Sequence, residues 1–134
     1  MDLKLPLYQD RLALTAEGWT GKNLSDVRGG ILQGVNTKTG DEIHATGGFV
    51  QLSWTTVKAE RYKNVLHAGI AIDEVVAADL NDGDRDLNSA VFGAVQSVFG
   101  HFTLGIEYLH WVTEYLGFGN GTSDRVNLYT IYNF

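Results

Sequence analysis

Ser53, His67 and Asp73 supply the three side-chain types of a nucleophile, a general base and a carboxylate that orients the base. Alternation of apolar and polar residues on both sides of Lys58-Ala59-Glu60-Arg61 predicts a β-hairpin centred near Glu60. Ser53 then sits across from His67, and Leu66 across from Trp54. Asp73 shares the face but lies about six residues, roughly 20 Å, along the strand from His67. It cannot orient that ring. The pair therefore reads as hydrogen bonding on a polar face, and no enzyme chemistry is expected.

The acidic stretch LNDGDRDLN places Asp82, Asp84 and Asp86 at alternate positions shortly after Asp79, a pattern related to calcium loops. Counted from Asp79, the position that would supply a bidentate Glu is Ala90, so the stretch reads as a solvated loop. His44, His101 and His110 have no spacing that builds a transition-metal site. The chain has no cysteine, hence neither a thiolate site nor a disulfide. No metal and no organic cofactor are expected.

A wider set of side chains falls on the polar parity of successive strands: Arg11, Thr15, Glu17, Gln51, Ser53, His67, Asp73, Gln96, Thr103, Glu107, Arg125 and Asn127. Gln96 enters through the hairpin at Gly100-His101, which puts it on the face of Thr103 and Glu107. Around a pore such side chains would set selectivity through diameter and field. As plain structure they would fill a barrel interior with cross-strand hydrogen bonds. Both signs of charge are present, so the set does not assign a sign of selectivity.

The elements that position these residues are strands. Sixteen Gly against one Pro, with six Tyr, six Phe and three Trp in 134 residues, favour β-structure with many turns. Strands are expected at Arg11 to Trp19, Gly47 to Val57, Asn64 to Asp73, Asn88 to Phe99, Phe102 to Leu116 and Arg125 to Phe134. A weaker alternation of Leu3, Leu5 and Leu7 precedes them, with Pro6 marking a strand end. Short turns at Tyr8 to Asp10, Lys58 to Arg61 and Gly100-His101 alternate with long loops at Thr20 to Ala45, Glu74 to Leu87 and Gly117 to Asp124. The 20–45 loop carries enough Leu, Ile and Val to be packed, and could fold into a lumen.

A net charge of −6 leaves no basic stripe for nucleic acid. No run approaches 18 apolar residues, which excludes a membrane-spanning helix and says nothing about spanning strands. The polar parity is mostly Thr, Ser, Gln, Gly and His, while most Lys, Arg and Asp lie in turns and loops. That distribution suits an enclosed face better than a solvated one. Trp54, Phe99 and Phe102 fall at strand ends on the short-turn side, as an interfacial aromatic girdle would place them, together with Tyr132 and Phe134.

The terminal RVNLYTIYNF, with Tyr132 and the closing Phe134, resembles the C-terminal signal of bacterial outer-membrane β-barrels. Tyr129 stands where many such signals have a small residue. Together with EGWTGKNL, GGILQGVN, GGFVQLSW, NSAVFGAV and FTLGIEYLHWVTEYL, it makes the chain similar to the C-terminal portion of Gram-negative porin-type barrels. The resemblance implies an all-β antiparallel meander of about six to eight transmembrane-type strands and passive diffusion of small solutes. It implies as partners outer-membrane lipid, the barrel-assembly machinery, small solutes and further copies of the barrel.

The expected strands number about six, preceded by the end of a seventh, whereas such barrels normally have an even number. The chain thus reads as part of a larger barrel, an expectation the absence of a secretory signal in MDLKLPLYQD supports. A strand at Gly29 to Val35 would instead allow an eight-stranded closed barrel. Two other functions compete: a soluble β-barrel whose apolar face binds a hydrophobic small molecule, and a barrel that only scaffolds the outer membrane. The direction in which Leu66, Ile70, Leu104, Ile106 and Leu128 point separates a pore from a soluble binding barrel.

Overall fold

The structure, a computed structural model, describes residues 2–9, 11–24 and 32–134. It is all-β apart from a 3-10 turn at Ala77–Asp79. The strands are β1 (Asp2–Tyr8), β2 (Leu12–Lys22), β3 (His44–Ala59), β4 (Tyr62–Val75), β5 (Arg85–Phe99), β6 (Phe102–Tyr115) and β7 (Gly121–Tyr132). They form one sheet in chain order, each antiparallel to its neighbour. Among the described residues β1 and β7 pair on one side only, so the sheet is not closed.

Every expected strand is present, and most run further toward the long loops than alternation alone indicates. β7 starts at Gly121 because Thr122, Ser123 and Asp124 pair with Val112, Trp111 and His110. Backbone ladders hold polar residues as readily as apolar ones. Hydropathy therefore loses the strand where the backbone does not.

The β3–β4 hairpin has the expected register, with Ser53 opposite His67 and Trp54 opposite Leu66. Nearer the turn a bulge between Thr55 and Val57 shifts it by one residue, so that Val57 faces Asn64. The β5–β6 turn takes Gly100 through φ 57°, where a Cβ is disfavoured, and the Gly100 amide donates to Arg61 O at 3.1 Å. Asp10, expected in the first turn, lies outside the described residues.

The long-loop end carries the fold's small apolar core. Ile43, Ala45, Val75 and Leu80 are buried, with Leu24 and Leu116 packed against them. The connection between β2 and β3 is therefore packed, as its apolar content implies. Of the strand anticipated at Gly29 to Val35, residues 29–31 lie outside the described residues. Val35 forms an isolated bridge with Glu42 and joins no strand of the sheet.

Candidate functional site

Strand pairing sorts the side chains into two faces. One row runs Ala13, Ser53, His67, Ala94, Glu107, Asn127, and the next row on the same face runs Thr15, Gln51, Gly69, Phe92, Leu109, Arg125. A third runs Thr55, Val65, Gln96, Gly105, Tyr129, and Arg11 joins it by accepting the Thr55 amide at 2.7 Å. Glu17, Asp73 and Thr103 keep the same parity in their strands. All the polar residues singled out above thus share one face.

That face is the more enclosed of the two. Thr55, Val65, Asn88, Ala90, Thr103 and Thr113, all on it, are buried. On the opposite face Ile70 is 60% exposed and Leu128 79%. No second layer covers either face of the single sheet, so the difference follows from the sheet curving toward its polar side. Ile70, Leu104, Ile106 and Leu128 are exposed on the other, outer side, and Leu66, half-buried, shares that side through its row with Trp54, Val95, Ile106 and Leu128.

His67 is the hub of the polar face. Its Nδ1 lies 2.9 Å from Ser53 Oγ and 3.2 Å from Gln51 Nε2, and its Nε2 lies 3.4 Å from Gln96 Oε1. Gln51 also donates to Ser53 Oγ at 3.0 Å. With the ring proton on Nε2, directed to the Gln96 carbonyl oxygen, Nδ1 accepts from the Ser53 hydroxyl and the Gln51 amide. Asp73 instead accepts from the Trp19 indole at 2.6 Å, across Gly47. The geometry agrees with its distance along the strand: no carboxylate orients His67.

Two further features carry no hydropathic signal. Phe92 lies over Gly69, where a Cβ would overlap its ring, and Tyr129 lies over Gly105 in the same way. Each glycine has a glutamine on its other side: Gln51 beside Gly69, Gln96 beside Gly105. Phe92 and Tyr129 were legible only as apolar or aromatic strand residues. Their role follows from which residue faces a glycine across the ladder, and that requires the register.

The outer face has its own order. Tyr62 and Phe99 pack at 4.9 Å between ring centroids, Phe102 and Tyr132 at 4.8 Å, and Tyr132 and Phe134 edge-on at 5.1 Å. Trp54 sits on the same face, level with Leu66. Toward the long loops, Tyr108 Oη donates to Asp124 Oδ1 at 2.6 Å, and His110 Nδ1 lies 2.8 Å from the same oxygen. Between these ends an open groove of about 810 Å³ is lined by Leu3, Ala16, Val50, Ile70, Ile72 and Val91. It is shallow because Gly18 and Gly48 contribute no side chain.

The acidic loop departs from the solvated reading. Asp84 is fully buried, because residues 32–43 fold against it. Gln33 Nε2 donates to its carboxylate at 2.8 Å, the Asn81 amide at 2.9 Å and the Thr37 amide at 3.3 Å, joined by the Thr37 hydroxyl. Buried Asn36 fastens the same two segments, donating to Asp79 O at 2.9 Å and accepting from Asn81 Nδ2 at 2.7 Å. Burial alone would raise the Asp84 pKa, but the hydrogen bonds from Thr37, Asn81 and Gln33 outweigh it and hold the carboxyl below its ordinary 3.8. The described residues contain no group of three or more His, Cys, Asp or Glu side chains able to hold a metal ion.

Comparison with protein-family models, curated proteins and solved structures finds no match to this chain.

Proposed function

We propose that the chain is part of an outer-membrane β-barrel that acts as a porin-like channel for passive diffusion of small solutes. The observation that carries this reading is the inversion of the sheet: large apolar side chains are exposed on the outer face, while hydroxyl, amide and imidazole groups occupy the enclosed one. A water-soluble sheet of this size would turn its apolar face inward. Lipid makes the opposite arrangement favourable.

The outer face has the dimensions of a bilayer. On β7, Val126, Leu128 and Thr130 separate the rings at Tyr132 from the polar group at Asp124, about 27 Å along the strand. Tilted by about 40°, that spans roughly 21 Å, close to an apolar band of about 25 Å. The step from Trp54 on β3, level with Leu66, to the lower row of Tyr62, Phe99, Phe102 and Tyr132 fits strands inclined to a membrane plane.

Seven alternating strands leave β1 and β7 running in the same direction. An antiparallel barrel closes over them with an odd number of further strands, giving the usual even total. Lipid, the barrel-assembly machinery and further barrels are the partners of this reading, with Tyr132 and Phe134 as the terminal insertion signal.

The outer groove favours a second reading, a binding surface for a hydrophobic small molecule, since its volume falls in the usual range for ligand sites. Its walls, however, are open: Ile72 is 51% exposed and Val91 55%. Flotation separates the two. The porin reading expects the full chain, refolded with phospholipid vesicles, to float with them after a urea wash. A chain that stays in the aqueous fraction, folded and monomeric, overturns it.

A further inference from the structure

We infer that the polar face binds neutral, hydroxyl-rich solutes of the sugar class, by ring stacking together with amide hydrogen bonds. This deepens the porin reading by naming the solute and rests on that face being open to solute.

Charge sets the first condition. Across β3, β4 and β5, the middle of the polar face consists of Thr55, Ser53, Gln51 and Phe49, then Val65, His67, Gly69 and Ala71, then Gln96, Ala94, Phe92 and Ala90. None is Asp, Glu, Lys or Arg. The nearest charges lie outside this area or are engaged. Arg11 and Glu17 stand on β2 and Arg125 on β7, Glu107 accepts from Asn127 at 2.8 Å, and Asp73 accepts from Trp19 at 2.6 Å. An ion gains no counter-charge in the central area and would leave its hydration there at a cost. A neutral solute loses little.

Ring placement sets the second. Phe92 and Tyr129 each lie over a glycine with one side against the backbone, leaving the other side toward the space above the polar face. Both rings are half-buried, as are Gln51, Ser53, His67 and Gln96. Each ring has a glutamine amide one strand beyond its glycine. A flat apolar surface beside an amide donor and acceptor matches a sugar ring, which offers C–H groups on its faces and hydroxyls at its edge. Between the two sets, Ser53 and His67 add a hydroxyl and an imidazole.

The test uses the full chain refolded in detergent micelles and saturation-transfer NMR with maltotriose, and glutarate as an anionic probe of modest size. The expected result is transfer to the maltotriose ring protons and none to glutarate. Phe92→Leu, Tyr129→Leu and Gln96→Leu should each reduce the transfer at least threefold, while Ile70→Ala on the outer face leaves it unchanged. Tyr129→Phe keeps the ring and should retain the signal, which guards against a variant that loses strand content by circular dichroism. Absence of transfer to maltotriose, equal transfer to glutarate, or indifference to the three substitutions overturns the inference. A chain that floats with vesicles but ignores maltotriose overturns only the sugar site. A chain that binds maltotriose but stays out of vesicles overturns only the membrane reading.

Discussion

Phe92 lies across the β4–β5 ladder over Gly69, in the space where any other residue would carry its Cβ. The aromatic and the glycine act as one unit: the ring covers backbone that the glycine leaves bare, and the glycine keeps the ring flat. Gly69→Ala would set a methyl against both the ring and the Val50 carbonyl oxygen, 2.6 Å away. The expected cost is about 1–3 kcal/mol, the usual range for overpacking, read as a lower urea midpoint of the refolded chain in micelles. An unchanged midpoint would mean that the ring has another place to go.

Asp84 gives a pH prediction confined to the loops. Its carboxyl is held below its ordinary 3.8, so its contribution is present in full above the unfolded value and is lost as pH falls through the lower folded one. Amide exchange of residues 32–43 should therefore be slow near neutral pH and accelerate, beyond its intrinsic pH dependence, below about pH 4. In Asp84→Asn that acid-specific step should disappear. Persistence of the step in the variant would place the sensitive group elsewhere.

The two faces should differ in their tolerance of charge. Ile70→Lys on the outer face should lower the free energy of folding into bilayers by about 2–4 kcal/mol, the cost of a Lys near the membrane midplane. Ala94→Lys, on the polar face of the neighbouring strand, should cost much less because its ammonium stays in water. Urea titration in vesicles compares them. Equal losses would remove the distinction between the faces on which the function rests.

The ring cluster at the short-turn end should contribute to anchoring. Tyr132→Ala removes contacts to Phe102 and Phe134, and each aromatic pair is worth about 0.5–1.5 kcal/mol beyond burial. Slower insertion into preformed vesicles and a reduced urea midpoint are expected, with strand content unchanged.

How much the residues reveal before folding is uneven, and the reason is physical. Strand number, the Ser53–His67 pairing and the sorting of Ile70 and Leu128 away from Gln51 and Gln96 all follow from a period of two, which a curved sheet preserves. The burial of Asp84 does not. It depends on residues 32–43 crossing to a loop far along the chain, and Thr37 and Gln33 carry no periodic mark of that contact. The glycine-ring pairs are intermediate: Gly69 and Phe92 are plain in the sequence, but their partnership needs the β4–β5 register. Strand ends, such as the start of β7 at Gly121, escape hydropathy because polar residues continue the ladder.

The central claim is that the apolar face meets lipid while the polar face meets water. The chain has no cysteine, so single cysteines can be placed at Ile70 and Leu128 on the outer face and at Ser53 and Ala94 on the polar one. Each is labelled with an environment-sensitive fluorophore in the chain refolded into vesicles. Quenching by a lipid-borne spin label and by aqueous iodide is then compared site by site. The account predicts lipid quenching at positions 70 and 128 and iodide quenching at 53 and 94. Iodide quenching at 70 and 128, or lipid quenching at 53 and 94, would contradict it.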